Sequence, residues 1–214
     1  RTSCRRADAG LREVVCEVSL AIQDISPTGS VMDRFSPHCT GQVLLGGGGG
    51  NLEEGLQDFP VRPDELRTRS VDHKKVLEWY EDRTGLDGRY RVLEVIDGTG
   101  SGVVRGRTTY RETSDFAHLP NARYQYSPYL FEALMQLVGF YMVMTDPSER
   151  RPVLPVEIGE MRFLRPCRAG ERMTLEARLR AQNKASFAWD ARGLDDAGHT
   201  VIQVRGLRMQ WLPE

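Results

Sequence analysis

Residues 128–144 read PYLFEALMQLVGFYMVM, and this run decides the fold. A helix formed from it has no polar face, so it must be enclosed on every side and cannot lie on a surface. Ser127 is placed to cap it and Pro128 to open it, because a proline at the first helical position gives up an N–H that has no partner there. Asp146-Pro147 ends it, since proline pushes the residue before it out of the helical region. Within the run only Glu132 and Gln136 are strongly polar, and their spacing of four stacks them one above the other. Burying an unpaired carboxylate costs on the order of several kcal/mol. Two readings follow: the pair satisfies itself structurally, or it faces a cavity that a ligand enters. The helix dipole favours the anionic form of Glu132 near the N-terminal end. Burial works the other way, towards a raised pKa and a usable general acid.

The flanks of the helix read as strands. Downstream, 153–163 is one strand, and Met173, Leu175, Ala177, Leu179 and Ala181 alternate along the next. Two more, 186–194 and 200–211, are joined as a hairpin around Asp195-Asp196-Ala197-Gly198. Upstream, Ser70-Val71-Asp72-His73 followed by Val76, Leu77 and Tyr80 predicts a short capped helix ending before Gly85. Strands are expected at 89–96 and 102–110, with a loop at 97–101. The pattern is α+β: an antiparallel sheet wrapped around one long buried helix.

Nearer the start, Val14, Cys16, Val18, Leu20 and Ile22 fall on one side of a strand over 12–24, and 41–45 predicts a second after the turn Ser26-Pro27-Thr28-Gly29. Five glycines at 46–50 and a polar, proline-punctuated stretch then form a linker or mobile loop. The expected organisation is therefore 1–45, a linker at 46–69, and 70–214.

Composition narrows the class. Among 214 residues, 29 Lys and Arg meet 30 Asp and Glu, for a net charge of −1, which argues against non-specific nucleic-acid binding. No apolar run reaches the length of a membrane span, and 28% charged with 40% hydrophobic residues is an ordinary soluble globular composition. Cys4, Cys16, Cys39 and Cys167 are scattered without metal-ligand spacing, so neither structural zinc nor a disulfide scaffold is expected. The glycine run lacks a following Gly-Lys-Ser/Thr, which argues against a phosphate loop. The chain opens on Arg1 and is expected to be a piece of something longer, working in the cytoplasm.

EALMQLVGFYM (132–142) resembles the central-helix motif of the β-hydroxyacyl-ACP dehydratases, above all the β-hydroxydecanoyl-ACP class. The same acid-x-x-x-Gln pattern occurs in the second half of dehydratase domains of type I polyketide synthases and polyunsaturated-fatty-acid synthases. YEDRTGLDGRYR (80–91) resembles the stretch that opens that half, Leu154-Pro155-Val156-Glu157-Ile158 the strand after its helix, and Gly206-Leu207 a pair in its closing strand. His38-Cys39-Thr40-Gly41 resembles the end of the first half. The resemblance implies the hot-dog fold, with 70–214 a complete second repeat and 1–45 the last strands of a first, a partial double hot dog. It implies a dehydratase that uses no cofactor and no metal. Its substrate would be a 3-hydroxyacyl chain on the phosphopantetheine of an acyl carrier protein, and its product the α,β-unsaturated thioester. Other synthase domains, and a homodimer or pseudo-dimer, are the further partners implied.

In these families a histidine removes the α-proton and an acidic residue protonates the departing hydroxyl, across a hot-dog pair. Glu132 matches the acid, with Glu where polyketide synthase dehydratases usually have Asp, and Gln136 matches the glutamine that helps place acid and substrate. His118 lies 14 residues before Glu132, and His118-Leu119-Pro120 resembles the His-Phe-Pro of stand-alone dehydratases. The Gly- and Pro-rich turn that follows there is absent, because 121–127 reads NARYQYS. The base is thus His118 or a residue outside the chain, and a packed loop histidine is the alternative. Tyr126 and Tyr129, with Tyr124, fit either the lining of an acyl channel or the core. Arg105, Arg107, Arg111, Arg178 and Arg180 fit either a face for an acidic carrier or an ordinary charged outer face. The rival functions are a catalytically degenerate hot-dog domain that binds or scaffolds acyl chains, and a thioesterase on the same fold.

Overall fold

The computed structural model describes residues 2–9, 13–26, 28, 30–46, 61–67, 70–86, 88–111 and 128–212. The chain divides into two compact units, Arg1–Glu54 and Gly55–Glu214. The first contains a three-stranded antiparallel sheet of β1 (Thr2–Ala9), β2 (Glu13–Ile25) and β3 (Val31–Gly46), in that order. β2 lies where alternation placed it. β3 is far longer than the expected 41–45, because Pro37 and the polar residues around it hide its pattern. The ladder accepts Pro37 beside a register shift between Leu20 and Ala21, where a missing N–H is tolerated. β1 has no strand signal in the sequence.

The second unit holds the sheet β4-β5-β8-β9-β10-β6, with β7 also pairing to β10. Its strands are β4 (Val95–Gly100), β5 (Val103–Thr109), β6 (Val153–Glu157), β7 (Glu160–Phe163), β8 (Arg172–Gln182), β9 (Ser186–Leu194) and β10 (Thr200–Trp211). All the pairings are antiparallel. Among the described residues two α-helices accompany it, α1 (His73–Arg83) and α2 (Pro128–Thr145). The Asp72 carboxylate caps α1 by accepting from the Lys75 N–H at 3.0 Å, and Gly85, at φ 64°, follows its end in the left-handed conformation. α2 packs on β5, β8, β9 and β10. Leu134, Leu137 and Met142 are fully enclosed there, with Leu175, Trp189 and Ile202 of the sheet.

Three expectations need correction. Residues 91–94 belong to no strand, and the strand expected at 89–96 begins only at Val95 and runs through the expected loop to Gly100. The expected strand 153–163 is two, broken at Ile158-Gly159. There Gly159 lies against Gly206 of β10, whose register shifts between Val204 and Leu207. The enclosure of α2 is also incomplete. Phe131, Glu132 and Met135 are only partly buried and Pro128 is exposed, so the first half of the helix keeps one open stripe.

Candidate active site

Glu132 sits on that open stripe and Gln136 one turn further on, 5% exposed, so every polar atom of its amide needs a protein partner. Each has one. Nε2 donates to Glu132 Oε1 at 2.6 Å and to the Tyr90 carbonyl at 2.6 Å. Oε1 accepts from the backbone N–H groups of Val92 and Leu93, each at 3.2 Å, and from the Tyr80 hydroxyl. This accounts for the missing ladder at Val92 and Leu93: the backbone N–H groups that a ladder would use there are bonded to side chains. The Val92 carbonyl is likewise taken by the Thr108 hydroxyl. The amide orientation is fixed by these partners, since a reversed Gln136 would face three donors with its NH2.

Burial pushes the Glu132 carboxyl above its ordinary pKa, and the hydrogen bond from Gln136 offsets part of that rise. Gln136 engages Oε1; a proton on the acid therefore belongs on Oε2, since a protonated Oε1 would face an N–H donor. The arrangement is a carboxyl group whose ionisation burial disfavours, oriented by an amide that only donates to it, and set on the partly exposed stripe of the helix. A carboxyl of raised pKa in such a place has the chemistry of a general acid.

Of the other candidates, His118 and Tyr126 lie outside the described residues. Tyr129 is fully buried. Its hydroxyl donates to the Thr109 carbonyl at 2.9 Å and its ring meets Tyr110 edge-on, so it ties α2 to the end of β5. It is one turn before Glu132 but directed into the core. Among the arginines, Arg107 pairs with Asp97 at 2.8 Å, Arg180 with Asp190 at 2.7 Å and Arg178 with Glu65 at 3.0 Å. Arg105 and Arg192 enclose the buried carboxylate of Glu176, so these side chains knit neighbouring strands together. Sequence reasoning missed Tyr80 as a polar partner of the site. It read as one apolar position of α1, and nothing in local spacing reveals that its hydroxyl reaches a residue 56 positions away.

A search of the curated proteins gives no match. Among solved structures, the dehydratase domain from the CurJ module of the curacin polyketide synthase is similar with a TM-score of 0.65 at 18% identity, over 95% of this chain and 66% of that one. The dehydratase domain of RzxB from Pseudomonas fluorescens gives a TM-score of 0.63 at 17% identity, over 98% of this chain and 67% of that one. The dehydratase domain from the CurK module of the curacin synthase gives 0.65 at 14% identity, over 99% and 68%. The chain thus spans about two thirds of the length of the structures it matches, and it shares their fold, the hot dog expected from the sequence. The model of the polyketide synthase dehydratase N-terminal domain matches residues 58–214. That match takes in the helix of Glu132 and Gln136 and the whole sheet around it, and the chain belongs to the polyketide synthase dehydratase family.

Proposed function

We propose that the chain supplies the acid half of a dehydratase site that acts on a 3-hydroxyacyl thioester delivered by an acyl carrier protein. The observation that carries this reading is the half-buried Glu132, raised in pKa by burial and held by a fully bonded Gln136. The base takes the proton from the α-carbon, the electron pair forms the α,β double bond, and the bond from the β-carbon to oxygen breaks. Glu132 gives its proton to the leaving hydroxyl, which departs as water. Glu132 is then a carboxylate, and Gln136 Nε2 stabilises that charge until the proton is restored.

The base in this proposal is His118, or a residue of a neighbouring repeat. Tyr126 and Gln136 are proposed to border the acyl chain, whereas Tyr129 serves the packing of the helix. Residues 70–214 are proposed as a complete hot-dog repeat and 1–45 as the closing strands of another. Pairing with a second repeat, as a pseudo-dimer or a homodimer, would cover the open stripe of α2. Carrier-bound substrate, neighbouring synthase domains and a cytoplasmic setting complete the reading. Among the described residues no helix is long and apolar enough to cross a membrane.

The test is conversion of a 3-hydroxyacyl-N-acetylcysteamine thioester by a protein carrying the whole synthase region. Enoyl thioester is the expected product; free acid would indicate a thioesterase, and binding without turnover a scaffold. Loss of a general acid typically costs about 10²–10⁴-fold in rate, and Glu132→Ala is expected to fall in that range. Dehydration that survives the substitution would remove Glu132 from the mechanism.

A further inference from the structure

Gln136 does not hold Glu132 unaided. Tyr80 is fully buried on α1, and its hydroxyl accepts the Leu93 N–H at 2.8 Å. With that lone pair occupied, its proton goes to one of two acceptors, Gln136 Oε1 or the Leu93 carbonyl 3.4 Å away. The carbonyl contact is long for an O–H donor, so the amide oxygen receives it. Burial raises the pKa of the phenol, which keeps it a donor throughout the working range. A donor on an amide oxygen draws electron density from the amide nitrogen and strengthens the hydrogen bonds that its N–H groups donate. In this protein one of those bonds ends on Glu132.

We infer that Tyr80 is a positioning residue of the acid: through the Gln136 amide it sets the strength and direction of the hydrogen bond to Glu132 Oε1 and so leaves Oε2 to carry the transferable proton. The inference rests on the reading of Glu132 as the acid. Tyr80 touches no substrate; it acts from the far side of Gln136, on a different helix. Among the described residues, the ionisable groups around the cluster are Tyr80 itself on α1, Tyr90 in the turn beyond it, and Arg91, whose guanidinium lies 6.0 Å from the Tyr80 ring centre. Tyr129 lies on α2, with Glu94 and Arg111 near its hydroxyl.

The experiment is a carboxyl ¹³C NMR titration of Glu132 in the intact chain, with the signal assigned by its loss in Glu132→Gln. It requires no substrate. Tyr80→Phe removes the donor, weakens the bond from Gln136 and is expected to move the Glu132 midpoint upward. Site-specific replacement of Tyr80 by 3-fluorotyrosine preserves the packing and makes the phenol a stronger donor, so the midpoint is expected to move downward. This second variant carries the test if Tyr80→Phe does not fold. In a Gln136→Met background both changes are expected to leave the midpoint where that single variant has it. A midpoint indifferent to both changes at Tyr80 overturns the relay, as does a shift that persists undiminished without Gln136. Midpoints that move as expected, when a protein carrying the whole synthase region dehydrates no thioester, would sink the proposed activity and leave the relay standing.

Discussion

Glu132 bears two opposed demands, one from folding and one from the chemistry proposed for it. Its carboxyl is removed from water, which raises its pKa in the folded chain above the 4.5 of a free glutamate. Below about pH 4.5 the folded and unfolded states both hold the proton, and the raised value has no effect on stability. As pH climbs through the folded value, the unfolded chain ionises more readily and the folded state loses stability. A neutral isostere escapes that loss. Glu132→Gln is therefore expected to gain in melting temperature relative to the parent as pH goes from 4 to 8, while it loses activity. Thermal unfolding across that range checks this, and a difference independent of pH would show that burial does not govern the titration of Glu132. The pair itself was legible in the sequence, because two polar residues four apart in an apolar helix need an explanation wherever the helix is buried. Tyr80 was not legible: its aromatic ring satisfies the apolar pattern of α1, and its hydroxyl finds a partner only after α1 and α2 pack. His118, the proposed base, falls outside the described residues.

At the scale of elements, alternation located β8, β9 and β10 to within a residue or so, since each has one face turned to α2. The same logic failed at 89–96. Val92 and Leu93 have the apolar character of a strand, but their N–H groups are bonded to Gln136 and Tyr80, and no local rule anticipates side chains taking the place of a ladder. The contact of α2 with the sheet depends on a different local feature, Gly106 of β5. A Cβ there would lie 2.6 Å from the Val95 carbonyl oxygen and 2.9 Å from Leu137 Cδ1. The leucine end can shift, but the backbone of the paired strand β4 cannot do so without loosening the β4–β5 ladder. Overpacking of this kind costs about 1–3 kcal/mol. Gly106→Ala is expected to lower the melting temperature by roughly 4–8 °C if the cost is near 2 kcal/mol in a chain of this size. A variant that melts with the parent would mean that β4 yields at no cost. Gly106 lies inside the strand expected at 102–110, and nothing in the local sequence reveals its reason, a backbone approached by its neighbour.

Taken as a whole, the larger unit shows how the outer side of a hot-dog sheet is finished. Residues 61–67, within the stretch expected to be linker, lie along the sheet instead of leaving it. Val61 is 1% exposed and its carbonyl accepts from Arg105. The Arg67 N–H donates to the Thr99 carbonyl at 2.8 Å, and Glu65 receives both terminal nitrogens of Arg178 at 3.0 Å. Gly100 permits the approach, since a Cβ there would meet the Glu65 carbonyl oxygen at 1.9 Å. Composition alone gave this segment the appearance of a linker, because its polar residues find their partners on strands more than thirty positions away. The Arg178 guanidinium, followed by the Arg62 N–H, holds the Glu65 carboxyl down at about 2. A depressed carboxyl contributes stability above its unfolded value near 4.5 and loses it as pH falls towards 2. The pair keeps part of its surface in water, with 22% and 23% of the two side chains exposed, so its contribution is modest and screened by salt. Glu65→Gln is accordingly expected to melt below the parent at pH 7 in dilute buffer, and the gap is expected to narrow in 1 M salt. It should close as pH falls from about 4.5 to about 2, where the parent carboxyl has taken up its own proton. Melting curves over that pH window decide the matter: a gap that stays constant into acid would mean that Glu65 holds the segment by shape or neutral hydrogen bonding, and that its charge is incidental.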